Sequence, residues 1–192
     1  MSANWLGKHW VTGAAFMAGG FICLAPLMAK LLPLTLLLIY LHTPAYMLHQ
    51  VEEHAGDRFR QFANDCLFGG LNVLTTCDVL VVNLPVVWGL NLLALYAAFF
   101  YGAGYGLVAP YAMLVNALTH FAAAIRLRRY NPGLVTAAAI FVPLSLTTMV
   151  LIGARATLGQ HLLGFGLAVL LHVAIFAFAG WRFTELRRGA TA

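Results

Sequence analysis

The sequence predicts an all-α fold, a polytopic membrane bundle of six transmembrane helices that forms one domain over residues 1–192. Of the 192 residues, 62% are hydrophobic and only 9% are charged. The apolar residues also fall in long runs, each close to the roughly 20 residues that a membrane-spanning helix requires. This composition excludes an ordinary soluble domain.

The apolar runs define the spans in order. They lie at about residues 10–29, 31–54, 79–101, 104–127, 132–154 and 160–182. Pro132 and Gly133 suit the start of the fifth span, and glycines at 102, 104 and 106 suit a tight turn before the fourth. No A-x-A cleavage site follows the first run, so we expect it to be a retained span. We expect a bacterial inner (cytoplasmic) membrane protein.

The stretch 55–78 is ambiguous, because it fits either an interfacial helix or a seventh span beginning near Cys66. The positive charges favour six spans, since that topology leaves only Lys30 and Arg155 on one side of the membrane. The nine residues on the other side are Lys8, Arg58, Arg60, Arg126, Arg128, Arg129, Arg182, Arg187 and Arg188. A seventh span would divide the charges four against seven. With six spans, both termini are expected in the cytoplasm.

The remaining composition limits the partners. The net charge of +5 comes from basic residues scattered between apolar runs, which does not indicate a nucleic-acid partner. The three cysteines are odd in number and lack CxxC spacing, so they indicate neither a disulfide framework nor a thiolate metal site. The expected partners are the lipid bilayer, an apolar or lipid-like substrate, and either a second copy or a partner subunit.

The second span carries the densest group of ionisable residues, in the hexapeptide HQVEEH at 49–54. His49 and Glu53 are four residues apart and therefore share a helix face, with Glu52 on the same broad face. His42, two turns earlier, aligns with them. His54 points away from this face, and we expect it at the membrane interface.

Two other spans bring polar residues to the same depth. Asn116 and His120 share a face of the fourth span, which runs parallel to the second in the six-span topology. His172 of the sixth span lies at a similar or slightly deeper level. His49, Glu53 and His120, with His172 and His42 as weaker candidates, are therefore expected to converge. A seventh span would instead separate residues 49–53 from residues 116–120 by the width of the membrane.

The glutamates indicate a metal. A carboxylate inside a bilayer costs about 2.5–3.5 kcal/mol, and two adjacent carboxylates also repel each other. A divalent cation would offset both the cost of burial and the repulsion between the carboxylates. Imidazole and carboxylate ligands suit zinc or iron, either as one ion or as two ions bridged by Glu52 or Glu53. Alternatively, both glutamates lie at the water interface and pair with Arg58 or Arg60.

Known catalytic motifs are absent. HQVEEH is neither HExxH nor HxxEH, since Glu53 stands where a second histidine would be needed. The sequence also lacks a GxSxG element, a P-loop and a dinucleotide-binding fingerprint.

Three elements in order resemble the HXXEE-domain family of small integral membrane proteins, over about residues 10–155. They are His49-Gln50-Val51-Glu52-Glu53, the N-x-x-x-H element from Asn116 to His120, and the Y-x-P-G element Tyr130-Asn131-Pro132-Gly133. The resemblance implies that His49, Glu52, Glu53, Asn116 and His120 are the functional positions, and that the third element shapes the adjoining loop. It implies metal binding or catalysis without specifying a reaction.

The resulting hypothesis is a metal-dependent membrane enzyme that acts on a lipid or another apolar substrate. His49, Glu53 and His120 bind the metal, Glu52 is a further ligand or a general base, and Asn116 orients His120 or the substrate. One zinc would suit hydrolysis, whereas two irons would suit oxygen-dependent hydroxylation or desaturation. The alternatives are a metal-ion or proton-coupled transporter and a structural membrane subunit.

Overall fold

The structure, a computed structural model, describes residues 3–191, and no strand occurs among them, so the predicted all-α class is confirmed. We number the helices in chain order. They are α1 Ala3–Leu31, α2 Leu34–His54, α3 Arg58–Phe62, α4 Thr76–Tyr101, α5 Val108–Leu127, α6 Leu134–Arg155 and α7 Leu158–Thr191.

Five helices, namely α1, α4, α5, α6 and α7, are long and apolar enough to cross a membrane. This is the architecture of a membrane protein. Helix α2 has 21 residues but falls outside this set, because its C-terminal half carries the polar residues His49, Gln50, Glu52 and Glu53. Most of these side chains are buried among the other helices, so α2 is the polar centre of the bundle.

The segment between α2 and α4 contains only short helical pieces. A 3₁₀ turn at Ala55–Asp57 is followed by α3 and then by a π turn at Ala63–Leu67. Five residues of helix extend only about 8 Å, which is far less than the bilayer core. No seventh span therefore forms between residues 55 and 75.

Local sequence signals set the other helix ends. Pro33 separates α1 from α2 and caps α2 in an extended conformation. Thr75 and Asp78 form a capping box at the start of α4, in which the Thr75 side chain accepts from the Asp78 backbone and the Asp78 carboxylate accepts from the Thr75 backbone. Arg128 and Gly133 both have positive φ, which lets the chain turn sharply between α5 and α6.

Two of the spans are locally widened into π turns, at Val82–Trp88 in α4 and Ala137–Phe141 in α6. Pro85 lies inside the first, and Pro143 lies two residues after the end of the second. Because proline has no N–H and its ring clashes with the preceding turn, the regular hydrogen-bond ladder is interrupted at both places. Both widened turns lie beside α2, where they place Asn83 and Thr136 next to its polar residues.

Helix α2 is packed on several sides. Ala14 and Ala18 of α1 are fully buried against Met47, so small residues let α1 lie close along α2. On another side, the rings of Tyr46 and Phe141 lie 4.6 Å apart and join α2 to α6. The position of the last two turns of α2 is thus fixed from two directions.

Candidate metal centre

Three side chains from two helices converge at the end of α2. The Nε2 atoms of His49 and His120 each lie 3.6 Å from a different oxygen of the Glu53 carboxylate. One ligand atom from each residue lies within 4.8 Å of the other two, and all three residues are buried. Within residues 3–191, no other group of three His, Cys, Asp or Glu side chains comes this close. We call His49, Glu53 and His120 the metal cluster.

Thr136 determines which nitrogen of His49 carries the proton. The single hydroxyl proton of Thr136 is donated to the Glu52 carboxylate. Its oxygen, 2.8 Å from His49 Nδ1, must therefore accept from that nitrogen. In neutral His49 the proton consequently sits on Nδ1, and the lone pair of Nε2 points at Glu53.

Asn131 determines which nitrogen of His120 carries the proton. The amide nitrogen of Asn131 donates to the His120 carbonyl at 2.9 Å, which orients the amide and leaves its oxygen as an acceptor. That oxygen lies 2.6 Å from His120 Nδ1 and accepts from it. Neutral His120 therefore also presents an unprotonated Nε2 toward Glu53.

The donor set fits a divalent cation. Two imidazole lone pairs and a carboxylate face one another, and their separation of 3.6 Å is too long for hydrogen bonds between them. His49 Nε2 is buried without any hydrogen-bond partner, which is costly for a polar atom in an apolar bundle. Nitrogen and oxygen ligands that share one tetrahedral zinc lie about 3.4 Å apart, and one ligand atom from each of the three residues here lies within 4.8 Å of the other two. The buried cluster can therefore hold a metal ion.

Gly133 leaves just enough room for both imidazoles. A Cβ atom built at this position would lie 2.6 Å from His120 Cε1 and 2.8 Å from His49 Cε1. The backbone there has φ +98°, a conformation that side chains rarely adopt. Close packing and backbone conformation both require glycine at position 133.

Glu52 points away from the metal cluster and holds the loop before α6. Its carboxylate accepts from the backbone N–H groups of Val135 and Thr136 at 3.1 and 2.7 Å, and from the Thr136 hydroxyl. It also accepts from the Tyr130 hydroxyl at 2.7 Å. Partial burial and this bond to Glu52 raise the pKa of Tyr130, so its hydroxyl stays protonated and donates. All of these bonds tie Glu52 to the loop, and none joins it to the cluster.

The arginine pairing considered for the glutamates does not form. Arg58 donates to the backbone carbonyls of Glu52 and Ala55, and Arg60 pairs with Asp57. Neither arginine reaches the Glu52 or Glu53 carboxylate. The charge of Glu53 is thus faced by histidines only.

The expectation that His54 points away to the interface is wrong. His54 is buried, and its Nε2 lies 3.0 Å from the Glu53 carboxylate. Trp10 and Phe59 cover it, with ring centroids at 5.0 and 5.6 Å. Helix α2 ends at this residue, and the turn that follows brings α3 back over it, which shields a side chain that a continuing helix would expose.

The structure places the remaining predicted residues outside the cluster. Asn116 lines the cavity beside it, and its buried Oδ1 has no hydrogen-bond partner; the side chain that bonds His120 is Asn131 instead. His172 lines the same cavity and bonds the Ala168 carbonyl through Nδ1. His42 is fully buried and bonds the Leu38 carbonyl, farther along α2.

Asn131, Thr136 and Gly133 are the site residues that sequence reasoning did not assign to the histidines. Asn131 and Gly133 lie in the Y-x-P-G element, which follows His120 closely in the chain. This closeness could have indicated that the element contacts His120. Thr136 had no such signal, because its contacts with Glu52 and His49 cross more than 80 positions of sequence.

The fold and the site define a class: a helical membrane protein with a buried His/Glu cluster, able to hold a metal ion, at the C-terminal end of a polar central helix. The family model described as a protein of unknown function with HXXEE motif matches residues 40–148, which include the whole cluster and its supporting loop. The chain belongs to this HXXEE family, as the resemblance indicated. No curated protein and no solved structure matches the chain.

Proposed function

We propose that this protein is a metal-dependent membrane enzyme in which His49, Glu53 and His120 hold the metal. The observation that carries the proposal is the convergence of two Nε2 atoms on a buried carboxylate, with Thr136 and Asn131 placing the proton of each neutral imidazole on Nδ1. Supporting partners of this kind keep histidine ligands oriented and raise their basicity.

One metal is better supported than two. Three protein ligands with room for a further group are typical of a catalytic zinc site, which keeps one coordination position open. Glu52, one of the two glutamates that could bridge a pair of metals, has its oxygens engaged by the loop before α6. When bound, a zinc ion would supply a Lewis acid for hydrolysis, whereas two irons would supply oxygen-dependent oxidation.

The topology of the proposal is six spans, with α2 as the additional one. Its 21 residues extend about 31 Å, which matches a hydrocarbon core of about 30 Å, and its polar side chains face protein. The excess of Lys and Arg at the end that holds the metal cluster supports cytoplasmic termini and a site in the cytoplasmic leaflet, in a bacterial inner membrane. A lipid or another apolar substrate suits that depth.

Elemental analysis of protein purified without a His tag tests the metal. We expect about one zinc or iron per chain in the wild type and nearly none in Glu53→Gln and His120→Ala. His172→Ala is the control, because His172 bonds a backbone carbonyl outside the cluster, and it should keep the metal. Wild-type protein that is metal-free and takes up neither zinc nor iron would overturn the proposal. Two irons per chain would replace the hydrolytic reaction by the oxidative one.

Cation or proton transport is the second candidate, and one observation favours it. Buried polar atoms without a hydrogen-bond partner continue beyond the cluster, at His42, Asn91 and Ser145. His42 precedes Glu53 by about 16 Å along α2, toward the opposite side of the membrane. Ion flux into proteoliposomes that is lost in both Glu53→Gln and His42→Leu would establish transport; the absence of flux in the wild type would exclude it.

A further inference from the structure

A cavity of about 550 Å³ opens directly beside the metal cluster. Glu53, His54 and His120 form its inner wall. From there it extends between two spans that are distant in sequence, α4 and α7. Because it touches two of the three cluster residues, anything bound in it lies within reach of the proposed metal.

The walls of the cavity are almost entirely apolar. Helix α4 contributes Val79, Val82 and Val86, and α7 contributes Leu171 and Ile175. The polar lining groups include Glu53 and His120 of the cluster, and Asn116, which precedes His120 by one turn of α5. The Asn116 Oδ1 atom is buried and lacks a partner, so it is available to accept a hydrogen bond from a bound molecule. The cavity thus suits an apolar body with one polar end.

The cavity is open sideways, toward the membrane. In the described part of the chain, α7 packs along α5 and against the turn at Ala103–Gly106 and has no comparable packing against α4. Val81 of α4 and Phe176 of α7, both lining residues, are 51% and 58% exposed. Since both helices are long and apolar enough to span the membrane, this opening faces lipid.

At the end of the cavity nearest the C-terminus of the chain, an ion pair connects α4 and α7. Arg182 of α7 donates to the Asp78 carboxylate of α4 at 2.8 Å. Next to this ion pair, the rings of Phe68 and Phe183 lie 5.5 Å apart. Helices α4 and α7 therefore contact each other at this end of the cavity and are separated along the rest of it. The opening on the lipid side is wider than the opening at this end.

We propose that this cavity binds the single hydrocarbon chain of a lipid-like substrate, which enters from the bilayer between α4 and α7 with its polar end at Asn116 and His120. The inference rests on the proposed function and specifies its substrate. A cavity of about 550 Å³ lies within the range of roughly 300–1,000 Å³ that small-molecule pockets have, which suits a ligand the size of one acyl chain. That is one chain rather than the two of a phospholipid.

Binding of a fluorescent single-chain polyene fatty acid to the detergent-solubilised protein tests this directly. We expect saturable binding to the wild type, and at least tenfold weaker binding to Ala174→Trp, which fills the cavity from the α7 wall. Val173→Trp, a neighbouring change on the exposed surface of α7 outside the cavity, is the matched control and should bind normally. Val86→Trp fills the cavity from the opposite wall and should repeat the loss, even if Ala174→Trp fails to fold.

Equal binding by the cavity-filling and control variants would overturn the inference, as would stronger binding of a two-chain phospholipid bearing the same polyene. The variant His49→Ala separates the two proposals, because His49 belongs to the metal cluster but does not line the cavity. Chain binding by a wild type that holds no metal would support the cavity and reject the enzyme. Metal binding without chain binding would retain the metal site and reject this substrate.

Discussion

The hydroxyl of Thr136 lies 2.8 Å from Nδ1 of His49 and joins α6 to α2 within the membrane-embedded bundle. The same hydroxyl donates to Glu52. One side chain therefore contacts both the histidine that belongs to the metal cluster and the glutamate that holds the loop before α6. A hydroxyl in this position fixes the histidine tautomer, which makes the role of Thr136 measurable apart from packing.

Replacing Thr136 by valine, which has nearly the same shape, should weaken metal binding by about 10–100-fold, as is usual when a partner of a ligating histidine is lost. Without the acceptor, His49 is free to carry its proton on either nitrogen. Competition with a chromogenic chelator measures the affinity. Thr147→Val, which removes an exposed hydroxyl bonded to the Pro143 carbonyl of the same helix, should leave it unchanged. Equal affinities of the two variants would contradict the tautomer argument.

Asn131 should matter more for the metal than Asn116. Asn131→Ala removes the acceptor at 2.6 Å from His120 Nδ1, and we expect a loss of affinity of about 10–100-fold. Asn131→Asp keeps an acceptor oxygen there and should retain most of the affinity. Asn116→Ala should have no effect on the metal. Competition with the chromogenic chelator measures the metal affinity of each variant. A larger loss of affinity in Asn116→Ala than in Asn131→Ala would refute the assignment of Asn131 as the partner of His120.

Gly133→Ala should destabilise the protein and abolish metal binding. The positive φ alone costs about 1–2 kcal/mol, and the added Cβ would also displace both histidine rings. Gly70→Ala separates the two causes, since Gly70 has φ +85° but no atom within 4 Å of an added Cβ. Thermal unfolding with and without zinc distinguishes them: the metal should raise the melting temperature of Gly70→Ala and have no effect on Gly133→Ala.

Gln50, in the middle of the HXXEE motif, should be needed for stability rather than for the metal. Its amide donates to the backbone and side-chain oxygens of Asn83 and accepts from Trp88, all inside the bundle. Gln50→Leu leaves these partners unsatisfied and should cost about 1–3 kcal/mol of unfolding free energy. Circular dichroism during denaturation in detergent measures this. The exposed change Gln61→Leu should shift it by less than about 0.5 kcal/mol, and metal content should remain normal in both variants.

The sequence predicted the helical architecture well because membrane spans are specified mostly by local composition. Apolar runs of about 20 residues locate helices without knowledge of their packing. Helix α7 extends farther than the predicted 160–182, to Thr191, because helix continues through polar residues that hydropathy assigns to the loop. The π turns near Pro85 and Pro143 were not predicted, since only the interrupted hydrogen-bond ladder shows them.

The site was predictable to the extent that helix periodicity governs it. Spacing by four residues places His49 and Glu53 together, and parallel helices bring His120 to their depth. Periodicity does not separate Glu52 from Glu53, because 100° of rotation leaves both on one broad face. The loop contacts that hold Glu52, and the turn after His54, depend on tertiary structure.

The adjacency of Glu52 and Glu53 links the loop to the metal energetically. One carboxylate anchors the segment that carries Thr136 and Gly133, while its neighbour belongs to the cluster which that segment supports. Any coupling between loop docking and metal binding must be reciprocal: whatever free energy the metal adds to the docked loop, the docked loop adds to the metal. Removal of the metal by chelation should therefore accelerate amide hydrogen exchange at Val135 and Thr136.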